Sequence, residues 1–142
     1  MPRMIFVNLP VTDLERATAF YEAIGATRNP QFSDDTASCM VLSETIYVML
    51  TTHDKFRHFT PKPIADAKTS NQALFCLSAD SRNEVDDIVG KAKAAGGVAD
   101  PSPVDEYDFM YGRSFEDPDG HMWGVNWLDM AAVPAKPAMA NA

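Results

Sequence analysis

Glu106, Tyr107, Asp108 and Tyr111 intersperse carboxylates with phenol rings within a short stretch of chain. Such a mixture attracts a flat cation by charge and by stacking on the ring faces. Within it Glu106 is a candidate general base or unorthodox metal ligand, and Tyr111 a candidate for proton transfer. The wider segment 100–119 holds seven acidic residues against one base, Arg113, and its plainer reading is a solvated loop and turn. Three histidines add groups that titrate near neutral pH. His121 follows an Asp-Pro-Asp-Gly run, where it either serves the turn and the strand start or acts as a base. His53 and His58 stand close to Lys55 and Arg57, either as a basic flap over an anionic substrate or as a solvated surface. None of the three has the spacing of a metal motif. Cys39 and Cys76 lie 37 residues apart without a Cys-x-x-Cys pair, which reads as reduced thiols in a cytoplasmic protein.

The chain that must position these groups has 142 residues, 46% hydrophobic and 23% charged. That length suits one domain with a core of its own. Twelve Lys and Arg against twenty Asp and Glu leave a formal net charge of −8, which argues against a partner made of nucleic-acid phosphates or an anionic membrane surface. The apolar runs are too short to span a membrane. The opening MPRMIFVNLP has neither the apolar core nor the cleavage site of a secretory signal, so a cytoplasmic location is expected.

Two segments repeat one pattern. Residues 4 to 11, MIFVNLPV, read as a strand; Thr12 or Asp13 can cap the helix that follows, with Glu15 placed to close a box on Thr12. Leu14, Ala17, Tyr21 and Ile24 recur at helical spacing and Gly25 stops the helix. Residues 73 to 80, ALFCLSAD, followed by SRNEVDDIVGKAKAAGG, repeat the arrangement, with Ser81 and Glu84 as the box and Gly96 as the stop. After the first helix, ASCMVLS and IYVML read as a hairpin; after the second, FMYGRSFE, DPDG and HMWGVNWL give a clearer one. The expected fold is α+β, two tandem βαβββ modules forming a curved mixed sheet around a cleft. The first module takes residues 1–50 and the second 73–128. Residues 51–72 form a polar connection with room for one helical turn, and 129–142 a flexible tail.

Residues 3–128 resemble the vicinal oxygen chelate superfamily, the group of glyoxalases, bleomycin-resistance proteins and extradiol dioxygenases. The residues that carry the likeness are FVNLPVTDLERATAFYEAIG in the first module and SFEDPDGHMWGVNW in the second. The resemblance implies a cleft, often completed by a second chain, that holds a divalent ion such as zinc, nickel, manganese or iron, together with a small substrate. It also implies four ligand positions. One lies seven residues before Asp13, at Phe6, and another four residues after the Gly of D-P-D-G, at Gly124. A third falls near Val48 or Met49 and a fourth within residues 72 to 75, Gln72 to Phe75, and none of these is His, Asp or Glu. No standard metal ligand is therefore expected, and a divalent ion could be held only through displaced groups such as Glu106 or His121.

Alternation along the strands puts Phe6 and Asn8 on the cleft face of the first strand, and Met122, Gly124 and Asn126 on that of the last. With Met49, Tyr107 and the amide of Gln72, these make an apolar substrate-binding lining with a few polar groups. Asn8 and Asn126 have an equally strong competing role as partners of strand-end backbone. Three functions compete: a metal-independent small-molecule-binding protein, a glyoxalase- or dioxygenase-type enzyme with displaced ligands, and a metal-free lyase or isomerase using Glu106, Tyr111 or a histidine. A homodimer is expected in each case.

Overall fold

The computed structural model describes residues 2–134. Its elements run β1 (Ile5–Val11), α1 (Leu14–Ala23), β2 (Thr27–Asn29), β3 (Ala37–Val41), β4 (Ile46–Thr52), α2 (His53–Phe59), β5 (Leu74–Ala79), α3 (Arg82–Ala94), β6 (Val98–Ala99), β7 (Asp105–Tyr107), β8 (Met110–Glu116) and β9 (Met122–Leu128). Residues 135–142 of the expected tail lie outside the described residues.

Both expected hairpins form: β3 pairs antiparallel with β4, and β8 with β9. In each module the first strand then pairs parallel to the last, β1 to β4 and β5 to β9. The strands divide into two hydrogen-bonded sheets, β1-β4-β3-β2 in the first module and β5-β9-β8-β6 with β7 also on β8 in the second. Both sheets are mixed, as the βαβββ pattern requires.

Each sheet buries one face under its helix. Leu9, Val11, Met40, Val48 and Leu50 of the first sheet meet Ala17, Phe20 and Tyr21 of α1; Phe115, Trp123 and Val125 of the second meet Val85, Val89 and Ala92 of α3. The buried helix positions fall at the i, i+3, i+4 and i+7 spacings that keep one stripe inward. The two helix-bearing faces share a single core. Phe20 lies 5.9 Å from Phe115 and Tyr21 meets Trp123 edge-on at 6.0 Å, centroid to centroid, each such pair adding about 1 kcal/mol beyond its burial. The opposite faces, here called open, point away from that core because strand side chains alternate.

The capping groups differ from expectation at one end. Asp13 is the N-cap of α1, its carboxylate accepting the Arg16 N–H. Thr12 instead gives both its backbone N–H and its hydroxyl to Asp119 of the second module, so no box closes on Glu15. Ser81 caps α3 as expected, accepting from Glu84 N–H, while the Glu84 carboxylate takes the N–H of Asp80.

Candidate functional site

The open face of the first sheet carries Phe6 and Asn8 on β1 beside Tyr47 and Met49 on β4, with Phe6 stacked on Tyr47 at 4.7 Å. Asn8 donates its amide to the Phe6 carbonyl, the backbone role that competed with ligand contact. The open face of the second sheet carries Leu74 and Cys76 on β5, Met122, Gly124 and Asn126 on β9, Gly112 on β8 and Tyr107 on β7. At Gly112 a Cβ would stand 2.3 Å from Asn126 Oδ1, so that amide would have to swing aside to admit one. At Gly124 a Cβ would meet the Cys76 thiol at 3.0 Å. Tyr107 stacks on Phe109 at 5.5 Å. Since the modules join through their helix-bearing faces, Phe6, Asn8 and Met49 do not meet Gly124 and Asn126 within one chain.

The same faces hold the four positions where the resemblance implies metal ligands. Alternation selects Leu74 from the 72–75 window, half or more of it exposed beside Met122. A phenyl ring, a thioether, an alkyl chain and a glycine do not supply the carboxylate and imidazole donors that a hard divalent ion requires. Among the described residues no three His, Cys, Asp or Glu side chains converge as an alternative set.

Glu106 and Tyr111 stand on the other side of the second sheet, facing α3. The cation suited to this acidic and aromatic cluster is the chain's own Arg82. Its guanidinium lies 5.3 Å over the Tyr111 ring and 5.0 Å over Trp127, sits 3.6 Å from Glu106, and donates to the Tyr107 carbonyl. Tyr111 gives its hydroxyl proton to Asp86 at 2.7 Å. That bond holds the phenol above its ordinary pKa and the Asp86 carboxyl below the usual range. Arg113 bridges Asp86 and both oxygens of Asp100, and its hydrogen bonds lower the Asp100 carboxyl likewise. The segment is solvated as expected over residues 103–108, but it includes strands β7 and β8, and Glu106 and Asp100 are drawn into ion pairs.

The Asp-Pro-Asp-Gly turn joins the modules. Asp117 accepts the Tyr21 hydroxyl at 2.6 Å with one oxygen and the backbone N–H groups of Asp119 and His121 with the other. Trp123 donates its indole N–H to the Tyr21 oxygen at 3.0 Å. Burial pushes the Tyr21 phenol well above its ordinary range, and it also raises the Asp117 carboxyl, against the pull of His121 and the Tyr21 hydrogen bond. His121 donates Nε2–H to the Pro10 carbonyl at 2.8 Å, tying the end of β1 to the start of β9. Gly120 takes φ +95°, and a Cβ there would lie 2.7 Å from the backbone nitrogen of Lys68. Only glycine gives both the left-handed turn and this close approach of the connecting segment.

That segment roofs a cavity of about 360 Å³. Asn8, Leu9 and Pro10 form one wall, Phe75 and Met122 another, and Phe56, Ile64 and Gln72 come from α2 and the connection. A more polar hollow of about 560 Å³ adjoins it, lined by His53, Arg57, Lys68, Asp66 and Asp119 and sharing His121. Of the site residues proposed from sequence, the cavity brings together Asn8 and His121, with Gln72 beside them. Phe6, Met49, Tyr107, Gly124 and Asn126 lie on the open faces, and Glu106 and Tyr111 beside α3. Phe56 and Ile64 also line the cavity, and their only mark in the sequence is that they are large apolar residues inside an otherwise polar connection.

The fold and these positions can be set against known proteins. A comparison with curated proteins finds no match. Among solved structures, a hypothetical protein, SA1046, from S. aureus is 29% identical with a TM-score of 0.71, covering 90% of this chain and 94% of that one. A glyoxalase/bleomycin resistance protein/dioxygenase family enzyme from Burkholderia phytofirmans PsJN is 18% identical with a TM-score of 0.74, covering 89% and 99%. The genomically encoded fosfomycin resistance protein FosX from Listeria monocytogenes is 18% identical with a TM-score of 0.66, covering 92% and 97%. Residues 3–125 match the Glyoxalase/Bleomycin resistance protein/Dioxygenase superfamily, and the chain belongs to it.

Proposed function

We propose that this member of the superfamily is a small-molecule-binding protein that works without the divalent ion, and that its site is the cavity between the modules. The observation that carries this reading is the cavity itself. Its volume falls within the range of small-ligand sites, and apolar side chains with a few amides line it. Phe6, Met49, Leu74 and Gly124 at the implied ligand positions favour binding without a metal.

The working unit is a homodimer in which a second copy covers the open faces. Phe6, Leu74, Tyr107 and Leu128 are each close to half exposed or more on those faces, apolar surface of the kind that a partner covers. Such pairing would set Phe6 and Met49 of one protomer against Gly124 and Asn126 of its partner, away from the cavity that each chain forms by itself. The free Cys39 and Cys76 suit a cytoplasmic protein. Among the described residues no helix is long and apolar enough to cross a membrane.

Thermal unfolding in the presence of nickel, zinc, manganese or iron(II), and separately of a panel of uncharged and charged aromatic compounds, tests the reading. A ligand of the native state raises the midpoint in proportion to the logarithm of its concentration above Kd. Stabilisation by aromatic compounds and none by the ions is expected. A midpoint raised by micromolar metal, and reversed by a chelator, overturns it.

A further inference from the structure

The lining of the cavity between the modules includes one charged side chain, Lys62, and no carboxylate. Lys62 forms no ion pair among the described residues. The surrounding segment is basic in a strongly acidic chain: residues 53–68 hold Lys55, Arg57, Lys62 and Lys68 with two histidines, against Asp54 and Asp66. The two acids leave the segment with two positive charges in excess. Asp54 is held by Arg57 at 2.9 Å, and Asp66 accepts the N–H of Lys68 within its own turn. Deeper in, Phe56, Ile64, Phe75 and Met122 offer only apolar surface. The volume of about 360 Å³ is more than twice the ~150 Å³ of an apolar cavity that takes up benzene, enough for a body of two fused rings.

We propose that the cavity takes an anionic amphiphile, a flat body of about two rings seated against Phe56, Ile64, Phe75 and Met122, with one carboxylate, sulfonate or phosphate held at Lys62. The inference rests on the cavity being the binding site and adds the charge and size of what it holds. Lys62 is exposed and reaches the mouth as a point charge, which fits a compact oxyanion and leaves the body of the ligand to the apolar walls. The interaction weakens as salt screens it.

Two fluorescent probes with one skeleton separate charge from shape: 1-anilinonaphthalene-8-sulfonate, and N-phenyl-1-naphthylamine, which lacks the sulfonate. The full chain is expected to bind the sulfonate probe more tightly at low ionic strength, with the difference fading in concentrated sodium chloride. Lys62→Gln should weaken the sulfonate probe by roughly 3- to 10-fold, the range between an exposed ion pair and a charge-assisted hydrogen bond, and leave the neutral probe unchanged. Ala73→Leu, at an exposed residue of the cavity wall, should weaken both. Equal affinity for the two probes, or a Lys62→Gln effect shared by both or absent from both, overturns the anionic ligand while the cavity stands. Failure of both probes to bind, or binding that Ala73→Leu leaves unchanged, overturns the cavity as the site.

Discussion

Replacing Tyr21 by Phe deletes a single oxygen that joins the two modules. The hydroxyl donates to Asp117 at 2.6 Å and accepts from Trp123 at 3.0 Å in a fully buried setting. Its loss leaves an indole N–H without a partner and takes one hydrogen bond from a buried carboxylate. Each costs about 1–3 kcal/mol, and allowing for some relaxation a total near 3 kcal/mol is expected at neutral pH. An unfolding entropy of about 0.3 kcal/mol/K for a chain of this length turns that into a fall of roughly 10 °C in Tm. Urea unfolding followed by circular dichroism should show the same loss in midpoint with an unchanged slope. The penalty also has a pH signature. Burial already raises the folded-state pKa of Asp117 and the Tyr21 hydrogen bond opposes the rise, so the variant raises it further. A carboxyl with a raised folded pKa contributes stability that is complete below the unfolded pKa and lost as pH climbs through the folded value. The gap between Tyr21→Phe and the parent should therefore narrow as pH falls from neutrality toward 4. A change below about 0.5 kcal/mol at pH 7, the size of an ordinary surface substitution, would refute the assignment of Tyr21 as the joint.

Gly112→Ala should cost less than about 1 kcal/mol, because the atom 2.3 Å from its Cβ is the amide oxygen at the end of the partly exposed Asn126 side chain, which can swing aside; adding Asn126→Ala should remove what cost there is in a double-mutant cycle read by chemical unfolding. Gly124→Ala should cost less than about 1 kcal/mol, since the atom it meets is the exposed Cys76 thiol, and it should change the rate at which that thiol reacts with a disulfide reagent; an unchanged rate counts against the contact. Light scattering at micromolar concentration should give twice the chain's 15.6 kDa, and the single-chain mass rejects the dimer. The Asp86 and Asp100 carboxyls, both lowered chiefly by hydrogen bonds from Tyr111 and Arg113, contribute stability above the unfolded pKa that is lost as pH falls through the folded value; Arg113→Gln should flatten this acid limb of the stability curve.

The parts of the fold legible in sequence are those whose cause lies within a few residues. Alternation along β1 and β9 gave the correct faces for Leu9, Val11, Trp123 and Val125, and Gly120 marked its turn, because pleat and turn geometry are local. What the alternation does not specify is the partner that each face meets. The modules join through Tyr21 and Asp117, 96 residues apart, and through Thr12 and Asp119, 107 apart, so a threonine with the local marks of a cap serves a distant turn. The acidic and aromatic cluster suggests a flat cationic ligand, whereas the cation found there is the chain's own Arg82, which enters from α3, 24 residues upstream of Glu106. Of the cavity, Asn8 and His121 stood out as polar residues on apolar strands. Phe56 and Ile64 did not, since an isolated apolar residue in a polar segment carries no period.

The joint between Thr12, Tyr21, Asp117 and Asp119 also sets the order in which the chain can form. Each module has its own hairpins and helix, which close over short loops, whereas the joint closes a loop of about a hundred residues and gains nothing until both ends exist. Loop-closure entropy is met before such contacts reward it, so the modules should gather first and lock last. A half-formed chain would show Phe20, Tyr21, Phe115 and Trp123 to water together, and that aromatic surface makes the unlocked species the one most prone to self-association.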